Sequence, residues 1–255
     1  MEIIAHRGAH NGKLGENTVA AFERALKLGC SMIELDCRLT KDKQLVVSHG
    51  GWTVCKDKVI FVTDFTLEEL VKMQIVVEQR DKCTDPERQI PSLELVLREF
   101  RDSVDINIEL KEKNSASVLD RLIFKMAKFG LMPCSTNRVI ISSFLIDEVI
   151  NFKKFNFGIR TALNWDGLSF YRRLKMLSLA RTMLNWGIEG IHISRRVADE
   201  NVISFFKKRG YKVRVYGVND IRLLSGYAKL GVDGIITNRV EPMMKALKFL
   251  EVAEA

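Results

Sequence analysis

The chain has 255 residues, of which 47% are hydrophobic and 28% charged, as is typical of an ordinary soluble globular protein with a sizeable core. Its amino terminus lacks the apolar segment of a secretory signal, and apolar runs such as 234–236 are far too short to cross a bilayer. We therefore expect a cytoplasmic protein with no stable membrane insertion. The five cysteines are odd in number and include no C-x-x-C pair, which argues against a disulfide framework and a zinc site.

The formal net charge of +8 favours anionic partners, such as phosphate-bearing substrates, nucleic acid or acidic lipid surfaces. The basic residues are scattered, however. The densest cluster, Lys207-Lys208-Arg209, ends an apparent helix, where the helix dipole favours cations in any case. A solvated basic surface is the better interpretation, so we expect no nucleic-acid partner. The sequence indicates no particular oligomeric state.

Short segments rich in valine and isoleucine alternate with longer amphipathic ones, whose apolar residues recur at three and four positions. In chain order the strand candidates are Glu2–Ala5, Met32–Asp36, Val104–Leu110, Arg138–Ser142, Phe157–Ala162, Gly190–Ile193, Lys212–Tyr216 and Gly234–Thr237. The helix candidates are Thr18–Leu28, Leu93–Arg101, Ser117–Phe129, Leu145–Lys154, Leu168–Trp186, Asp199–Arg209, Asp220–Leu230 and Pro242–Leu250. Ser92 and Asn219 are candidate N-caps, and Gly130, Gly210 and Gly231 are placed to end helices.

Eight strands, each followed by a helix, predict an α/β fold of the (β/α)8 TIM-barrel type. The rival, an open doubly wound sheet, is disfavoured because no G-x-G-x-x-G follows the first strand. No stretch has the composition of a flexible linker, so we expect residues 1–255 to form a single domain. The interval after the second strand breaks the rhythm. We interpret it as a small inserted subdomain on the barrel rim, about residues 50–90, with a hairpin pairing Gln44–Ser48 with Lys58–Val62 and a short helix, Leu67–Lys72.

Acidic side chains end two of the predicted strands. Residues two apart in a strand share a face, so Glu34 and Asp36 point the same way, as do Glu109 and Lys111. The carboxyl ends of barrel strands carry the active site. Three converging carboxylates would repel one another unless they were protonated or neutralised, and a hard cation such as Mg2+ or Ca2+ is a natural neutraliser. Separate exposed ion pairs are the alternative interpretation.

Two histidines lie near this predicted cluster. His6-Arg7-Gly8 ends the first strand, and His49 follows the apolar run 45–47 in the rim insertion. Histidine can exchange a proton near neutral pH, and arginine can bind a phosphate with two hydrogen bonds. Breaking a P–O bond needs a base for the nucleophile and an acid for the leaving alkoxide. The sequence therefore predicts a metal-dependent phosphodiesterase.

The ordered motifs resemble those of the glycerophosphodiester phosphodiesterase family, from the first strand to the last. They are His6-Arg7-Gly8, Glu16-Asn17-Thr18, Glu34-x-Asp36, Leu45-Val46-Val47-Ser48-His49, Ile90-Pro91-Ser92-Leu93, Ile108-Glu109-Leu110-Lys111, Ser142-Ser143-Phe144 and Gly231-Val232-Asp233-Gly234-Ile235-Ile236-Thr237-Asn238. The resemblance implies a TIM barrel with an insertion after the second strand. It also implies hydrolysis of a small-molecule glycerophosphodiester to glycerol 3-phosphate and an alcohol.

Carried over by position, the resemblance also implies residue roles. Glu34, Asp36 and Glu109 would ligate the divalent metal ion, and His6 and His49 would be general acid and base, in an order left open. Arg7 and Lys111 would hold the phosphoryl oxygens. Asn17 would orient His6 or the substrate, Glu16 would line the same mouth as a possible further ligand, and Tyr216 would supply an aromatic wall.

The chain departs from the family pattern at four positions: Gly15, Gly50, Tyr216 and Asn238 stand where Pro, Asp, Trp and Asp are usual. These departures affect the expected specificity for the alcohol group more than the expected reaction type. A lysophospholipase D-type phosphodiesterase on the same barrel is the alternative enzyme.

Of the other candidate residues, we expect His10 at the rim and Cys37 facing away from the metal. His192 could touch substrate or belong to the barrel wall. Packing is a commoner fate than a lipid-binding rim for Trp52, Phe144, Trp165 and Trp186.

Overall fold

The computed structural model describes residues 1–10, 14–55, 58–73, 75–76, 90–131, 138–156, 158–167 and 172–254. The strands are β1 (Glu2–His6), β2 (Met32–Leu39), β3 (Leu45–Val47), β4 (Trp52–Cys55), β5 (Lys58–Phe61), β6 (Ile75–Val76), β7 (Asp105–Leu110), β8 (Val139–Ser143), β9 (Arg160–Trp165), β10 (Gly190–Ser194), β11 (Lys212–Tyr216) and β12 (Gly234–Thr237). The helices are α1 (Val19–Lys27), α2 (Leu67–Lys72), α3 (Leu93–Phe100), α4 (Ser115–Lys128), α5 (Ile146–Phe155), α6 (Arg172–Trp186), α7 (Glu200–Lys207), α8 (Leu224–Lys229) and α9 (Val240–Glu254).

Eight parallel strands close into a barrel. Their order is β1-β12-β11-β10-β9-β8-β7-β2, and β2 returns to pair with β1, from Ile4 opposite Met32 to His6 opposite Glu34. Helices lie between the strands and cover the outside, as in a TIM barrel. The predicted (β/α)8 fold is therefore confirmed.

The inward-facing side chains form an apolar layer and a polar layer inside the barrel. Five residues make up the apolar layer, here called the apolar plug: Ile4, Met32, Ile140, Ala162 and Ile236. Two positions further along β1 and β2 stand His6 and Glu34, because alternate residues of a strand face the same way. The apolar plug thus lies directly below the polar end of the barrel.

Helix ends follow mostly from local chemistry. The side chains of Thr18 and Ser92 accept hydrogen bonds from backbone N–H groups at the starts of α1 and α3, as N-caps do. Gly130, Gly210 and Gly231 have positive φ angles of 66°, 82° and 71° just after α4, α7 and α8, as predicted.

The prediction that Asn219 caps a helix was wrong. Asp220 caps a short 3-10 helix, Ile221–Leu223, that precedes α8. Asn219 Oδ1 instead accepts hydrogen bonds from the Thr237 hydroxyl and the Asn238 N–H, at 3.0 Å each. It therefore joins the loop after β11 to the end of β12, and so helps to place Asn238.

The rim insertion has different strand pairing from that predicted. β2 continues past Asp36 to Leu39, and this extension pairs antiparallel with β3, Cys37 opposite Val47. The partner of β5 is therefore β4, with Trp52 opposite Phe61, and the predicted hairpin between 44–48 and 58–62 was wrong. β6 adds a third strand to this small sheet. A separate apolar cluster, Val46, Val62, Leu70 and Ile90, packs beneath the insertion.

Other boundaries differ by a few residues. α4 begins at Ser115 and not at Ser117, and β9 runs from Arg160 to Trp165 and not from 157 to 162. Phe157 and residues 168–171, which the predictions included, lie outside the described residues. Among the described helices, none is both long enough and apolar enough to span a membrane.

Candidate active site

Three carboxylates meet at the carboxyl-terminal end of the barrel strands. Asp36 on β2 stands opposite Glu109 on β7, and Glu34 lies two residues earlier on β2. One oxygen of each carboxylate lies within 4.8 Å of the others. Glu34, Asp36 and Glu109 are only 2%, 1% and 9% exposed, respectively. They are therefore not the separate exposed ion pairs of the alternative interpretation.

The electrostatics of this trio are unfavourable without a compensating charge. Burial, followed by repulsion from Asp36, raises the pKa of both Glu34 and Glu109. Burial opposes ionisation of Asp36 as well, but Lys111 and Arg7 hold its pKa below the usual value. A divalent cation is the kind of charge that would allow all three groups to ionise together.

The donor set fits such a cation. Glu34 Oε1 is buried and has no hydrogen-bond partner, and Asp36 Oδ1 is buried with Lys111 Nζ 3.2 Å away. Buried polar atoms are normally satisfied, so an unpartnered carboxylate oxygen in this cluster indicates a site built for a ligand. Carboxylate oxygens are the donors that Mg2+ and Ca2+ prefer.

Two cations border the trio. Lys111 Nζ lies 2.6 Å from Glu109 Oε1 and 3.2 Å from Asp36 Oδ1. Arg7 Nε lies 3.1 Å from Asp36 Oδ2, and Arg7 Nη1 donates to both oxygens of Glu16 at 2.8 Å. Glu16 therefore anchors the arginine. Both cations also line the cavity described next, where an anionic group could reach them.

A cavity of about 220 Å3 opens beside the carboxylates. Its lining includes Glu34 and Glu109, while Asp36 lies behind them with 1% exposure. The full lining is His6, Arg7, Glu34, His49, Asn107, Glu109, Lys111, Phe144, Asn164, His192, Tyr216 and Ile236. The two predicted histidines thus share one cavity with two of the three acids.

His6 has its two ring nitrogens in different environments. Nδ1 donates a hydrogen bond to Asn238 Oδ1, and Nε2 lies 3.9 Å from Glu34 Oε2. Burial and then the charge of Arg7 lower the pKa of His6 to about 4. The ring is therefore neutral near pH 7, and the lone pair of Nε2 is its proton-accepting site.

His49 is held from the insertion side. Its carbonyl oxygen accepts a hydrogen bond from Arg38 Nε at 2.9 Å, and the preceding Ser48 N–H donates to the carbonyl of Asp36 at 3.0 Å. Burial and then Arg7 lower the pKa of His49 to about 4. The extension of β2 therefore connects this loop directly to the carboxylate cluster.

Asn17 contacts the acids and not the histidine. Its Nδ2 donates to Asp36 Oδ2 at 3.0 Å, and its Oδ1 accepts from the Asp36 N–H at 3.2 Å. The suggested contact with His6 is made by Asn238 instead. Asn17 has a φ of +57°, a conformation that asparagine tolerates better than most residues.

Aromatic residues divide between the cavity and the core. Tyr216 and Phe144 line the cavity and pack edge to face, with ring centroids 5.8 Å apart. Trp165 faces the helix layer and packs on Phe206, so it is no part of a lipid-binding rim. The ring of Trp186 packs against Lys154.

The remaining candidates separate clearly. His10 Nε2 lies 3.4 Å from Asn238 Oδ1, beside the cavity, and Cys37 is buried in the apolar core.

The sequence analysis missed two cavity-lining residues, Asn107 and Asn164, and left His192 undecided between a substrate contact and the barrel wall. The alternation of inward-facing residues could have found the first two, because they lie two positions before Glu109 and two after Ala162.

Comparisons with known proteins identify the family of the chain. Residues 6–242 match the model of the glycerophosphoryl diester phosphodiesterase family. The chain is 32% identical over 257 residues to a glycerophosphodiester phosphodiesterase of Caldanaerobacter subterraneus subsp. tengcongensis, covering 96% of this chain and 97% of that one. A shorter match, 37% identical over 120 residues, covers 45% of this chain and 38% of lysophospholipase D GDPD1 of Rattus norvegicus.

The fold also matches solved structures. A phosphodiesterase of Oleispira antarctica, solved in complex with the product sn-glycerol-3-phosphate, superposes with a TM-score of 0.78 at 21% identity, covering 97% of each chain. That likeness concerns the barrel. With the family match over nearly the whole length and the full-length relative above 30% identity, the chain belongs to the glycerophosphoryl diester phosphodiesterase family.

Proposed function

We propose that this enzyme hydrolyses glycerophosphodiesters to glycerol 3-phosphate and an alcohol, with a divalent cation held by Glu34, Asp36 and Glu109. The observation that carries the proposal is the buried trio itself, which has an unpartnered oxygen, Glu34 Oε1, beside a cavity with two neutral histidines. Bound there, the cation would neutralise the acids and polarise the phosphoryl group for attack.

The chain's own residues supply the proton transfers. One imidazole, of His6 or His49, accepts the proton of the nucleophile, and the other, once protonated, delivers a proton to the leaving alkoxide. The hydrogen bond from His6 Nδ1 to Asn238 leaves Nε2 as the atom that exchanges a proton. Arg7 and Lys111 bind the phosphoryl oxygens and stabilise the charge that develops on them.

The aromatic pair at the cavity mouth contacts the alcohol part of the substrate in this proposal. Tyr216 forms the wall, and Phe144 is 44% exposed beside it. The opening is therefore apolar where the alcohol would project.

Product analysis tests the proposal. Wild-type enzyme with Mg2+ or Ca2+ is expected to release glycerol 3-phosphate and choline from glycerophosphocholine. His6→Ala and Glu34→Ala should each slow release by at least about 100-fold while the thermal unfolding transition survives. Release of glycerol 3-phosphate at the wild-type rate by either folded variant would contradict the assignment.

A second candidate, lysophospholipase D-type cleavage of lysophospholipids, is favoured by the match to lysophospholipase D GDPD1 and by the exposed ring of Phe144. Turnover of glycerophosphocholine and lysophosphatidylcholine by the same preparation separates the two. Our proposal predicts a higher kcat/KM for glycerophosphocholine, and the reverse order would favour the lipid substrate.

A further inference from the structure

The small sheet of the rim insertion exposes three large apolar side chains on one face. Trp52 on β4 stands opposite Phe61 on β5, and Val59 lies two residues before Phe61, so the three share that side of the sheet, here called the apolar face. Trp52, Val59 and Phe61 are 47%, 57% and 54% exposed, respectively. Packing, the commoner fate expected of Trp52, is therefore not what the structure shows.

The opposite side of the same sheet packs on the protein. Ile60 packs against the apolar cluster beneath the insertion, and Thr53, its partner across β4 and β5, is buried. The core of the insertion therefore uses the Ile60 side of the sheet and leaves the apolar face in contact with solvent. Large apolar side chains gathered on a surface mark an interaction site more often than isolated ones do.

The apolar face lies close to the catalytic cavity. His49 lines the cavity, and only two glycines separate it from Trp52. Three residues of extended chain span at most about 11 Å, which limits the distance between the α-carbons of His49 and Trp52. Phe144, which is 44% exposed, adds an apolar ring at the cavity mouth. A surface that binds the apolar face would therefore hold the cavity near it.

The apolar face is too small to hold a second copy of the chain stably. An aromatic side chain has about 150–250 Å2 of surface to bury, so three half-exposed side chains together offer roughly 300 Å2. A stable protein–protein interface buries about 800 Å2 on each partner. A lipid surface requires no such area, because a few apolar side chains can enter it while the rest of the protein stays in water.

The residue types and the charge suit an anionic lipid surface. Tryptophan is enriched where lipid headgroups meet acyl chains, because its ring is apolar and its N–H is polar. Lys58 is exposed next to Val59 in the chain and supplies a cation at headgroup level. The formal net charge of +8 adds long-range attraction to a negatively charged surface.

We propose that Trp52, Val59 and Phe61 dock the protein reversibly on anionic lipid surfaces and hold the cavity mouth close to the lipid. The three side chains enter the boundary between headgroups and acyl chains, and the barrel stays in water. Binding to lipid without any substrate does not depend on the proposed hydrolysis, so either can fail without the other.

The test is co-sedimentation with vesicles of equal parts phosphatidylcholine and phosphatidylglycerol at low salt. Wild-type protein should sediment with the vesicles. Trp52→Ser and Phe61→Ser should each lower the partition coefficient by about tenfold or more, because each removes a ring from the lipid. Vesicles of phosphatidylcholine alone should bind wild type about fivefold less, which is the contribution expected of one basic residue near an anionic surface.

Phe249→Ser is the matched control, because Phe249 is 78% exposed on α9 and undergoes the same chemical change as Phe61. Its partition coefficient should lie within about twofold of the wild-type value. Thermal unfolding checks that each variant folds, and Val59→Ser replaces any variant that does not.

Tryptophan fluorescence identifies the side that meets the lipid. Lipids brominated in their acyl chains quench tryptophans that lie close to them, so wild-type fluorescence should fall on vesicle binding. Trp52→Phe should bind within about threefold of wild type and lose the quenching. The other two tryptophans lie elsewhere: Trp165 is 6% exposed, and Trp186 packs against Lys154.

Three results would overturn the proposal. Wild-type protein that stays in the supernatant does not bind the lipid surface at all. Phe61→Ser that partitions as wild type, or quenching that survives in Trp52→Phe, shows that another side of the molecule meets the lipid. A dimer in sedimentation equilibrium that dissociates in Phe61→Ser assigns the apolar face to a second copy of the chain instead.

Discussion

At the scale of single residues, the sequence predicted the acidic trio better than its supporting contacts. Glu34, Asp36 and Glu109 were found from strand parity, because that rule depends on only one strand at a time. The contacts of Asn17 with Asp36, and of Asn238 with His6, join residues 19 and 232 positions apart. Such pairs depend on the closed barrel, so no local pattern contains them.

The two histidines can be told apart by the leaving group. His6→Ala and His49→Ala should each reduce kcat/KM for glycerophosphocholine by about 10²–10⁴. With the 4-nitrophenyl ester of glycerol 3-phosphate, whose leaving group needs no proton, only the variant that lacks the base should remain impaired. Steady-state kinetics on both substrates assign the roles. Equal loss of activity by both variants on both esters would contradict these roles for the two histidines.

Asn17 is expected to act through Asp36. Asn17→Gly keeps the positive φ and removes both contacts with that carboxylate. Loss of such a supporting contact should raise the half-saturating Mg2+ concentration about 10–100-fold, with kcat recovered at saturating metal.

Asn114→Gly is the control for this variant, because Asn114 also has a positive φ, of 69°, but lies at the start of α4. Its metal requirement should match that of wild type. A raised KM for substrate at saturating metal, with no change in metal requirement, would instead support the sequence-based assignment of Asn17 to the substrate.

At the scale of elements, the inward and outward faces of the barrel strands were predictable, while the pairing in the insertion was not. Period-two alternation fixes which residues of β2 and β7 face inward. The choice of β4 as the partner of β5 depends on β2 extending to Leu39 and occupying β3. That competition between partners is decided by tertiary contacts and is not visible in any one segment.

Asp233 connects α7, β11 and β12 at the base of the barrel. Lys207 Nζ, the Val213 N–H and Lys212 Nζ donate to it at 2.7, 2.8 and 3.1 Å. Burial opposes ionisation, but these donors hold the pKa of Asp233 below its usual value. We expect Asp233→Asn to lower the free energy of unfolding by about 1–3 kcal/mol at pH 7.

The sign of the pH dependence follows from the lowered pKa. The stability from Asp233 is fully present above the unfolded-state pKa, about 3.9, and is lost as pH falls through the folded-state value. Urea unfolding at pH 7 and pH 3 should therefore show a smaller difference between wild type and variant at pH 3. Asp102→Asn, at a mostly exposed carboxylate, should change the free energy little. An equal difference at both pH values would contradict the account.

At the scale of the whole molecule, the count of eight strands and eight helices was enough to predict the barrel, and the barrel brings the site together. Ring closure between β1 and β2 sets His6 opposite Glu34, and β2 and β7 set Asp36 opposite Glu109. Of the cavity-lining residues, Asn107 and Asn164 were missed and His192 was left undecided, because each is unremarkable within its own strand. The cytoplasmic location and the single-domain organisation stay predictions.

The central claim is that the buried trio binds a divalent cation that hydrolysis requires. The direct test is release of glycerol 3-phosphate from glycerophosphocholine by chelator-treated enzyme, before and after titration with Mg2+, Ca2+ or Mn2+. We expect no release in chelator, recovery with at least one of these ions, and a higher half-saturating concentration of that ion in Glu109→Gln. Full turnover in chelator would contradict the claim.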